Sequence, residues 1–101
     1  MMAISGTKDR YRMKISGQLE KLSKAVGKFH DTADRASQEF RFEYYQELSS
    51  LRAKLEAAYE WFERVKNAGD EEWNVVKEGM DGSLDLVRRE LDDIRSEHAG
   101  T

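Results

Sequence analysis

Proline and cysteine are both absent from the 101 residues of the chain. Because proline is the residue that most strongly interrupts helices, its absence permits long uninterrupted helical segments. The absence of cysteine excludes disulfide bonds, thiolate catalysis and zinc–thiolate sites, and it leaves the redox state of the compartment unconstrained. Any chemistry in this chain must therefore come from other side chains.

Long uncharged apolar runs are also missing. The N-terminal segment 1–7 lacks the apolar core of a signal peptide, and no stretch is long enough to span a bilayer. Charged residues make up 37% of the chain, which is too many for a large globular core but compatible with narrow seams between helices. We therefore expect one cytoplasmic helical coiled-coil domain over residues 1–101, frayed at 1–7 and 99–101.

What the chain does have is a long helical repeat of apolar residues. Steps of four and three residues pass through sixteen positions, all of them apolar or aromatic. This spacing is typical of a coiled-coil stripe. The sixteen positions are Tyr11, Ile15, Leu19, Leu22, Val26, Phe29, Ala33, Ala36, Phe40, Tyr44, Leu48, Leu51, Leu55, Ala58, Phe62 and Val65.

Two places could interrupt this first helix. Gly27 could mark a break, with Asp31 as the N-cap of a separate helix and a three-helix bundle as the result. Because the stripe keeps its phase past Gly27, we favour one continuous helix over about residues 8–67. Between Ala36 and Leu48 the steps are all of four, which we interpret as a stutter. We interpret the aromatic residues of segment 40–45 as filling the wider core there.

The segment 67–72 predicts a turn between two helices. Arg64 and Lys66 suit the end of the first helix, where cations offset the helix dipole. Gly69 suits a left-handed position after that end, and Asp70 suits the N-cap of the next helix. The second helix, over about residues 71–97, has its own apolar stripe: Trp73, Val76, Met80, Leu84, Val87, Leu91 and Ile94. Gly79 and Gly82 permit close helix contact or mark a bend in it.

These elements predict an all-α fold, an antiparallel helical hairpin with coiled-coil packing. The second helix is too short to cover the N-terminal half of the first, so that half must find a partner. We expect a homodimer in which the residues of self-association are Tyr11, Ile15, Leu19, Leu22, Val26, Phe29, Phe40 and Tyr44. An unknown protein partner is also possible.

The charge distribution fits such a dimer. Residues 1–30 carry seven Lys/Arg and two acids (+5), residues 31–69 six and eight (−2), and residues 70–101 four and ten (−6), which together give −3. A basic head would then lie beside the acidic tail of the partner.

Catalytic, cofactor and metal signatures are not found. His30 and Asp34 stand one helical turn apart, but no third ligand is in register with them, and segment 81–85 lacks the ligand spacing of a calcium loop. No phosphate loop or nucleophile elbow occurs. We therefore expect no enzyme, no cofactor and no metal. Nucleic acid is an unlikely partner because the pI is near 5.4 and no binding motif occurs.

The residues around the turn carry a resemblance. They are Leu51-Arg52-Ala53-Lys54-Leu55-Glu56-Ala57-Ala58, then Ala68-Gly69-Asp70-Glu71-Glu72-Trp73 and Val76-Lys77-Glu78-Gly79-Met80. Over about residues 31–95 the chain resembles a family of small bacterial coiled-coil stress-response proteins of cyanobacterial type. The resemblance implies a long first helix, a glycine-acid turn and a non-enzymatic role.

The sequence thus predicts a structural or interaction module that self-associates and is linked to bacterial stress response. The alternative is an amphipathic protein that associates with a membrane or granule surface through Trp61, Phe62 and Trp73.

Overall fold

The structure, a computed structural model, describes residues 6–99 and the side chains of residues 6–97. Within that range it contains three helices and no strand: α1 (Thr7–Arg35), α2 (Gln38–Asn67) and α3 (Trp73–Ala99). The predicted all-helical class is confirmed. Of the residues predicted to be frayed, Gly6 is the N-cap of α1, Thr7 is its first residue and Ala99 is the last residue of α3. The fraying itself stays a prediction, and residues 1–5 and 100–101 lie outside the described residues.

The three helices form an elongated bundle with dimensions of 57 × 22 × 19 Å. The Nε of Arg12, near the start of α1, donates a hydrogen bond to the carbonyl of Val65 near the end of α2, at 3.2 Å. At the other end, the rings of Phe29 and Tyr44 lie 5.8 Å apart. Between α2 and α3, Lys54 pairs with Glu90 and Trp61 lies against Gly79. The chain therefore reverses its direction after α1 and again after α2, and α2 packs against both other helices.

The single helix predicted over residues 8–67 is wrong. The chain breaks at Ala36 (φ −63°, ψ 150°) and Ser37 (φ −63°, ψ 156°), both of which are extended. The Ser37 carbonyl accepts hydrogen bonds from the backbone N–H groups of Phe40 and Arg41, each at 3.0 Å. The Arg41 guanidinium donates to the Ala36 carbonyl at 3.2 Å, which satisfies an acceptor that the end of α1 leaves open.

The alternative prediction, a three-helix bundle, has the observed number of helices but places the break too early. Gly27 lies inside α1, and a Cβ added there would meet nothing within 4 Å. The run of four-residue steps that we interpreted as a stutter is the position of the break. In this run Ala36 and Tyr44 are half-buried and Phe40 is exposed, whereas Ala33 and Leu48 on either side are buried.

The core is a single seam to which every helix contributes. Its largest side chains with less than 2% exposure are Ile15, Leu19, Leu48, Leu51, Val65, Met80, Leu84 and Val87. These residues belong to the two stripes that the sequence displays. The stripe of α1 is therefore covered by α2 and α3 of the same chain.

The link between α2 and α3 differs from the predicted turn. The α2 helix ends at Asn67, as predicted, and Ala68 is extended (φ −72°, ψ 136°). Gly69 does not adopt a positive φ, so the chain leaves α2 without a left-handed residue. Asp70 does not open α3, which begins at Trp73. Its carboxylate instead pairs with the ammonium of Lys8, and this contact ties the link to the start of α1.

Of the two glycines in α3, only Gly79 has a packing role. A Cβ at Gly79 would overlap the six-membered ring of Trp61, whereas a Cβ at Gly82 would meet nothing within 4 Å. The α3 helix is continuous through both positions. Gly79 therefore allows α2 and α3 to approach closely, and neither glycine interrupts the helix.

We expect Gly79→Ala and Gly82→Ala to change stability in opposite directions. The first forces the Trp61 indole to move, and such overpacking costs about 1–3 kcal/mol, of which the higher helix propensity of alanine offsets about 1 kcal/mol. The second removes a flexible residue from an exposed helix position, which stabilises by about 0.5–1 kcal/mol. Urea unfolding followed by circular dichroism measures both changes. Equal stability of the two variants would contradict the close contact between Gly79 and Trp61.

Candidate functional site

A groove lies between α1 and α3, at the end of the bundle away from the α2–α3 link. Its volume is about 560 Å³. At the opposite end the gap between α1 and α3 is closed, because Tyr11 of α1 contacts Trp73 of α3 ring to ring at 5.5 Å. We name the open part the α1–α3 groove. Its lining consists of Lys21, Lys24, Ala25, Lys28, Phe29, Thr32, Tyr44, Leu91, Ile94 and Arg95.

The floor of the α1–α3 groove is apolar. Phe29 from α1 and Tyr44 from α2 meet edge to face, with an angle of 69° between their rings. Leu91 and Ile94 from α3 are each 5% exposed, and the small side chain of Ala25 from α1 also lines the groove. A cleft of this size and polarity falls within the range of small-molecule sites, which is roughly 300–1,000 Å³.

The rim of the groove is positively charged. Lys21, Lys24 and Lys28 follow one another at steps of three and four, so they form a row along one edge of α1, and Arg95 lies on α3 across the groove. Lys24 is 3.5 Å from Glu20. Lys21, Lys28 and Arg95 form no ion pair with a described residue, and no carboxylate lines the groove. The site therefore offers net positive charge to a ligand.

His30 and Asp34, which we considered as metal ligands, belong to a network between α1 and α2. Asp34 lies 3.5 Å from the His30 Nε2 and accepts a hydrogen bond from the Tyr45 hydroxyl. This hydrogen bond raises the pKa of Tyr45. The Arg52 guanidinium lies 3.0 Å from the His30 Nδ1. Because Arg52 and Tyr45 of α2 contact His30 and Asp34 of α1, the network ties the two helices together.

Three carboxylates lie close together beside the groove. Oxygens of Glu43, Glu47 and Glu97 are within 4.8 Å of one another. Glu43 and Glu97 are exposed and Glu47 is half-buried. Exposed acids are common without an ion, and we assign no metal to them. Their effect on the groove is electrostatic, because they add negative charge next to its positive rim.

A polar cluster centred on Tyr11 closes the opposite end of the bundle. The Tyr11 hydroxyl donates to Asp81 at 2.5 Å and lies 3.2 Å from the Lys77 carbonyl oxygen. Burial and, after it, the Asp81 carboxylate raise the pKa of Tyr11 well above its usual range. Asp81, the first residue of the calcium-like segment, is therefore engaged by a tyrosine.

The residues predicted for self-association lie mostly inside the bundle. Phe29 packs partly buried against the core, Tyr44 is half-buried and Phe40 is 49% exposed. The five others are buried: Tyr11, Ile15, Leu19, Leu22 and Val26. The observation that led us to expect a dimer, an uncovered stripe on the first helix, is therefore not found among the described residues.

The aromatic residues have two different roles. Trp61, Phe62 and Trp73 are partly buried against the core, so they close the end of the bundle. The segment 40–45, which we interpreted as core filling, packs less than predicted: Phe42 is 74% exposed. Phe42 lies two residues before the half-buried Tyr44, and side chains two positions apart do not share a helix face, so Phe42 faces solvent.

The sequence did not identify the α1–α3 groove. In the sequence, Lys21, Lys24 and Lys28 count only toward the basic charge of residues 1–30. Their spacing of three and four residues shows that they share one edge of α1, beside Ala25 and Phe29, and this could be recognised from the sequence. The contribution of Leu91, Ile94 and Arg95 could not be, because it depends on how α3 lies against α1.

Compared with protein-family models, with curated proteins and with solved structures, the chain has no match. The resemblance to bacterial stress-response proteins therefore stays a prediction. Within residues 6–99, no helix combines the length and apolar character that crossing a membrane requires.

We expect Tyr11→Phe to lower the unfolding free energy by about 1 kcal/mol at neutral pH, because it removes one partly buried hydrogen bond. The raised pKa of folded Tyr11 predicts how this difference changes with pH. Above about pH 10 the tyrosine ionises in the unfolded chain before it does so in the folded one. The contribution of Tyr11 to the unfolding free energy therefore falls as pH rises. Denaturant unfolding of both proteins from pH 7 to 11 measures this.

The matched control is Tyr59→Phe, since the Tyr59 hydroxyl makes no hydrogen bond to a described residue. A stability difference between wild type and Tyr11→Phe that stays constant through pH 11 would show that Asp81 does not hold the Tyr11 proton.

Proposed function

We propose that this chain is a non-enzymatic interaction module whose binding site is the α1–α3 groove. The observation that carries the proposal is the pairing of an apolar floor, formed by Phe29, Tyr44, Leu91 and Ile94, with a cationic rim. A cleft with apolar walls and a few convergent polar groups is the usual form of a ligand site. Two other clefts in the described part of the chain differ in charge: acidic residues outnumber the single arginine in one, and one glutamate faces one lysine in the other.

Binding is a better account of the groove than catalysis. General acid–base chemistry is most efficient with a group that titrates near neutral pH, usually histidine or a carboxylate. The groove is lined by three lysines, an arginine, a threonine, a tyrosine and apolar side chains, and its lining contains neither histidine nor carboxylate. His30 and Asp34 are engaged with Arg52 and Tyr45 instead. These groups can hold and orient a ligand, and this supports a role that needs no reaction.

The helical packing that supports the groove is proposed to be of coiled-coil type. The buried apolar residues of α3 recur at steps of three and four, and those of α1 do so except for one step of seven from Val26 to Ala33. This is the spacing at which side chains fit between those of a facing helix. The link to bacterial stress response rests on the family resemblance alone and remains a prediction.

A neutral solvatochromic dye such as Nile red tests the proposed site. We expect the dye to bind with a blue-shifted emission, and we expect Ala25→Trp to weaken this binding at least about ten-fold, because the indole would fill the space above Phe29. The matched control is Ala53→Trp, since Ala53 is exposed on α2 outside the groove. Fluorescence titration measures both affinities.

Thr32→Trp is a second blocking variant, at an exposed position of the same groove. Two blocking variants are used because either substitution alone could abolish binding by unfolding the chain. Circular dichroism checks that each variant is folded. Equal dye affinity for wild type and for both blocked variants would mean that the groove is not the binding site.

Self-association stays a prediction, and fewer exposed residues support it than we expected from the sequence. Five of its eight predicted residues are buried within the chain, and Phe40 retains the most exposed area, 49%. A homodimer would therefore have to use exposed side chains such as Phe40 and Phe42. Sedimentation equilibrium should show a concentration-dependent dimer that Phe40→Ser with Phe42→Ser weakens. A monomer throughout the micromolar range would remove the dimer.

A further inference from the structure

We propose that the occupant of the α1–α3 groove is a single-chain anionic amphiphile, specifically a long-chain fatty acid. Its carboxylate would lie on the row of Lys21, Lys24 and Lys28, and its acyl chain would lie along Phe29, Leu91 and Ile94. This inference rests on the proposed function, since it names the ligand of that same groove.

The charges of the groove select the sign of the head group. Three lysines follow one edge of α1, and Arg95 lies on the other wall. Only Lys24 has an acidic neighbour, Glu20 at 3.5 Å. An ammonium head would meet four cations without a compensating acid in the lining, whereas a carboxylate would complete ion pairs that Lys21 and Lys28 lack.

The dimensions of the groove favour a slender ligand over a helix of another protein. Its α1 wall runs from Lys21 to Thr32, which at 1.5 Å per residue is about 16 Å. A helix of that length, about 10 Å across, occupies roughly 1,250 Å³, about twice the 560 Å³ available. Most of a docked helix would lie outside the groove, whereas an acyl chain can lie within it.

The surroundings of the groove disfavour larger anionic partners. Glu43 and Glu47 flank Tyr44 in the α2 sequence, and their carboxylate oxygens lie within 4.8 Å of an oxygen of Glu97 from α3. The whole chain also has a net charge of −3. An anionic bilayer or a nucleic acid would bring many charges against these acids. A ligand with one head group needs only the lysine row.

Competition with Nile red tests the inference on the full chain. The probes are decanoate and decyltrimethylammonium, each below its critical micelle concentration, and decanol below its solubility limit. We expect decanoate to displace the dye at the lowest concentration, decanol at a higher one and the ammonium compound at the highest. Lengthening the carboxylate should raise its affinity about four-fold per methylene, since burying one contributes about 0.8 kcal/mol, until the groove is filled.

Charge variants distinguish the contribution of the lysine row to decanoate binding from a general attraction between the anion and the cations of the chain. Lys21→Gln combined with Lys28→Gln should weaken decanoate binding about five- to ten-fold, as expected for two exposed ion pairs, and leave decanol binding unchanged. The control is Arg10→Gln with Lys14→Gln, which removes two exposed cations of α1 outside the groove. Glutamine has nearly the helix propensity of lysine, so both variants should retain the fold, and circular dichroism checks that they do.

The outcomes distinguish this inference from the proposed function. The fatty-acid inference is overturned if decanoate and decanol bind with equal affinity, or if both double variants lose the same amount of affinity for decanoate. In either case the groove remains a binding site. If neither the dye nor any amphiphile binds, both proposals fail. Binding only to anionic phospholipid vesicles, or only to an acidic helical peptide, would also overturn the fatty acid as occupant.

Discussion

The fold depends on covering the apolar stripe of α1. Five of its large side chains are buried, namely Tyr11, Ile15, Leu19, Leu22 and Val26. At about 1.5–3 kcal/mol for each buried side chain, their burial contributes about 8–15 kcal/mol. This is as large as the whole net stability of a typical domain, about 5–15 kcal/mol. Two extended residues, Ala36 and Ser37, allow the chain to supply the cover itself, and the bundle follows from that reversal.

The sequence revealed the helical class and the buried stripes because both depend on local periodicity. It also located the end of α2, where Arg64, Lys66 and the glycine-acid segment act together. It did not locate the break at Ala36–Ser37, which contains neither glycine nor proline. Ser37 precedes Gln38 and Glu39, a reasonable helix start, but its side chain makes no capping hydrogen bond. The sequence signal for a helix start at Ser37 was therefore weak. The continuous spacing of the apolar stripe favoured a single helix more strongly.

Gly27 was the more conspicuous candidate, and its physical effect explains why it does not break α1. A glycine within a helix costs about 1 kcal/mol relative to alanine, which is small beside the burial of Val26 and its neighbours. The α1 side of the α1–α3 groove could be recognised from the sequence, because Lys21, Lys24 and Lys28 are close together in the chain. The α3 side required α1 and α3 to be placed together, and no pattern within either helix specifies that arrangement.

An odd number of helices separates the two ends of the described chain. Residue 7 begins α1 beside the α2–α3 link, while α3 finishes at residue 99 near the α1–α3 groove. The bundle is 57 Å long. Residue 7 lies 14 residues before Lys21, the nearest lining residue on α1, and this is about 21 Å at 1.5 Å per residue. A fluorophore, tag or fusion domain attached ahead of α1 would thus be joined about 21 Å from the near edge of the groove. One attached after α3 would be anchored next to it. The N-terminal side is therefore the appropriate one for immobilising this protein when the groove must stay accessible.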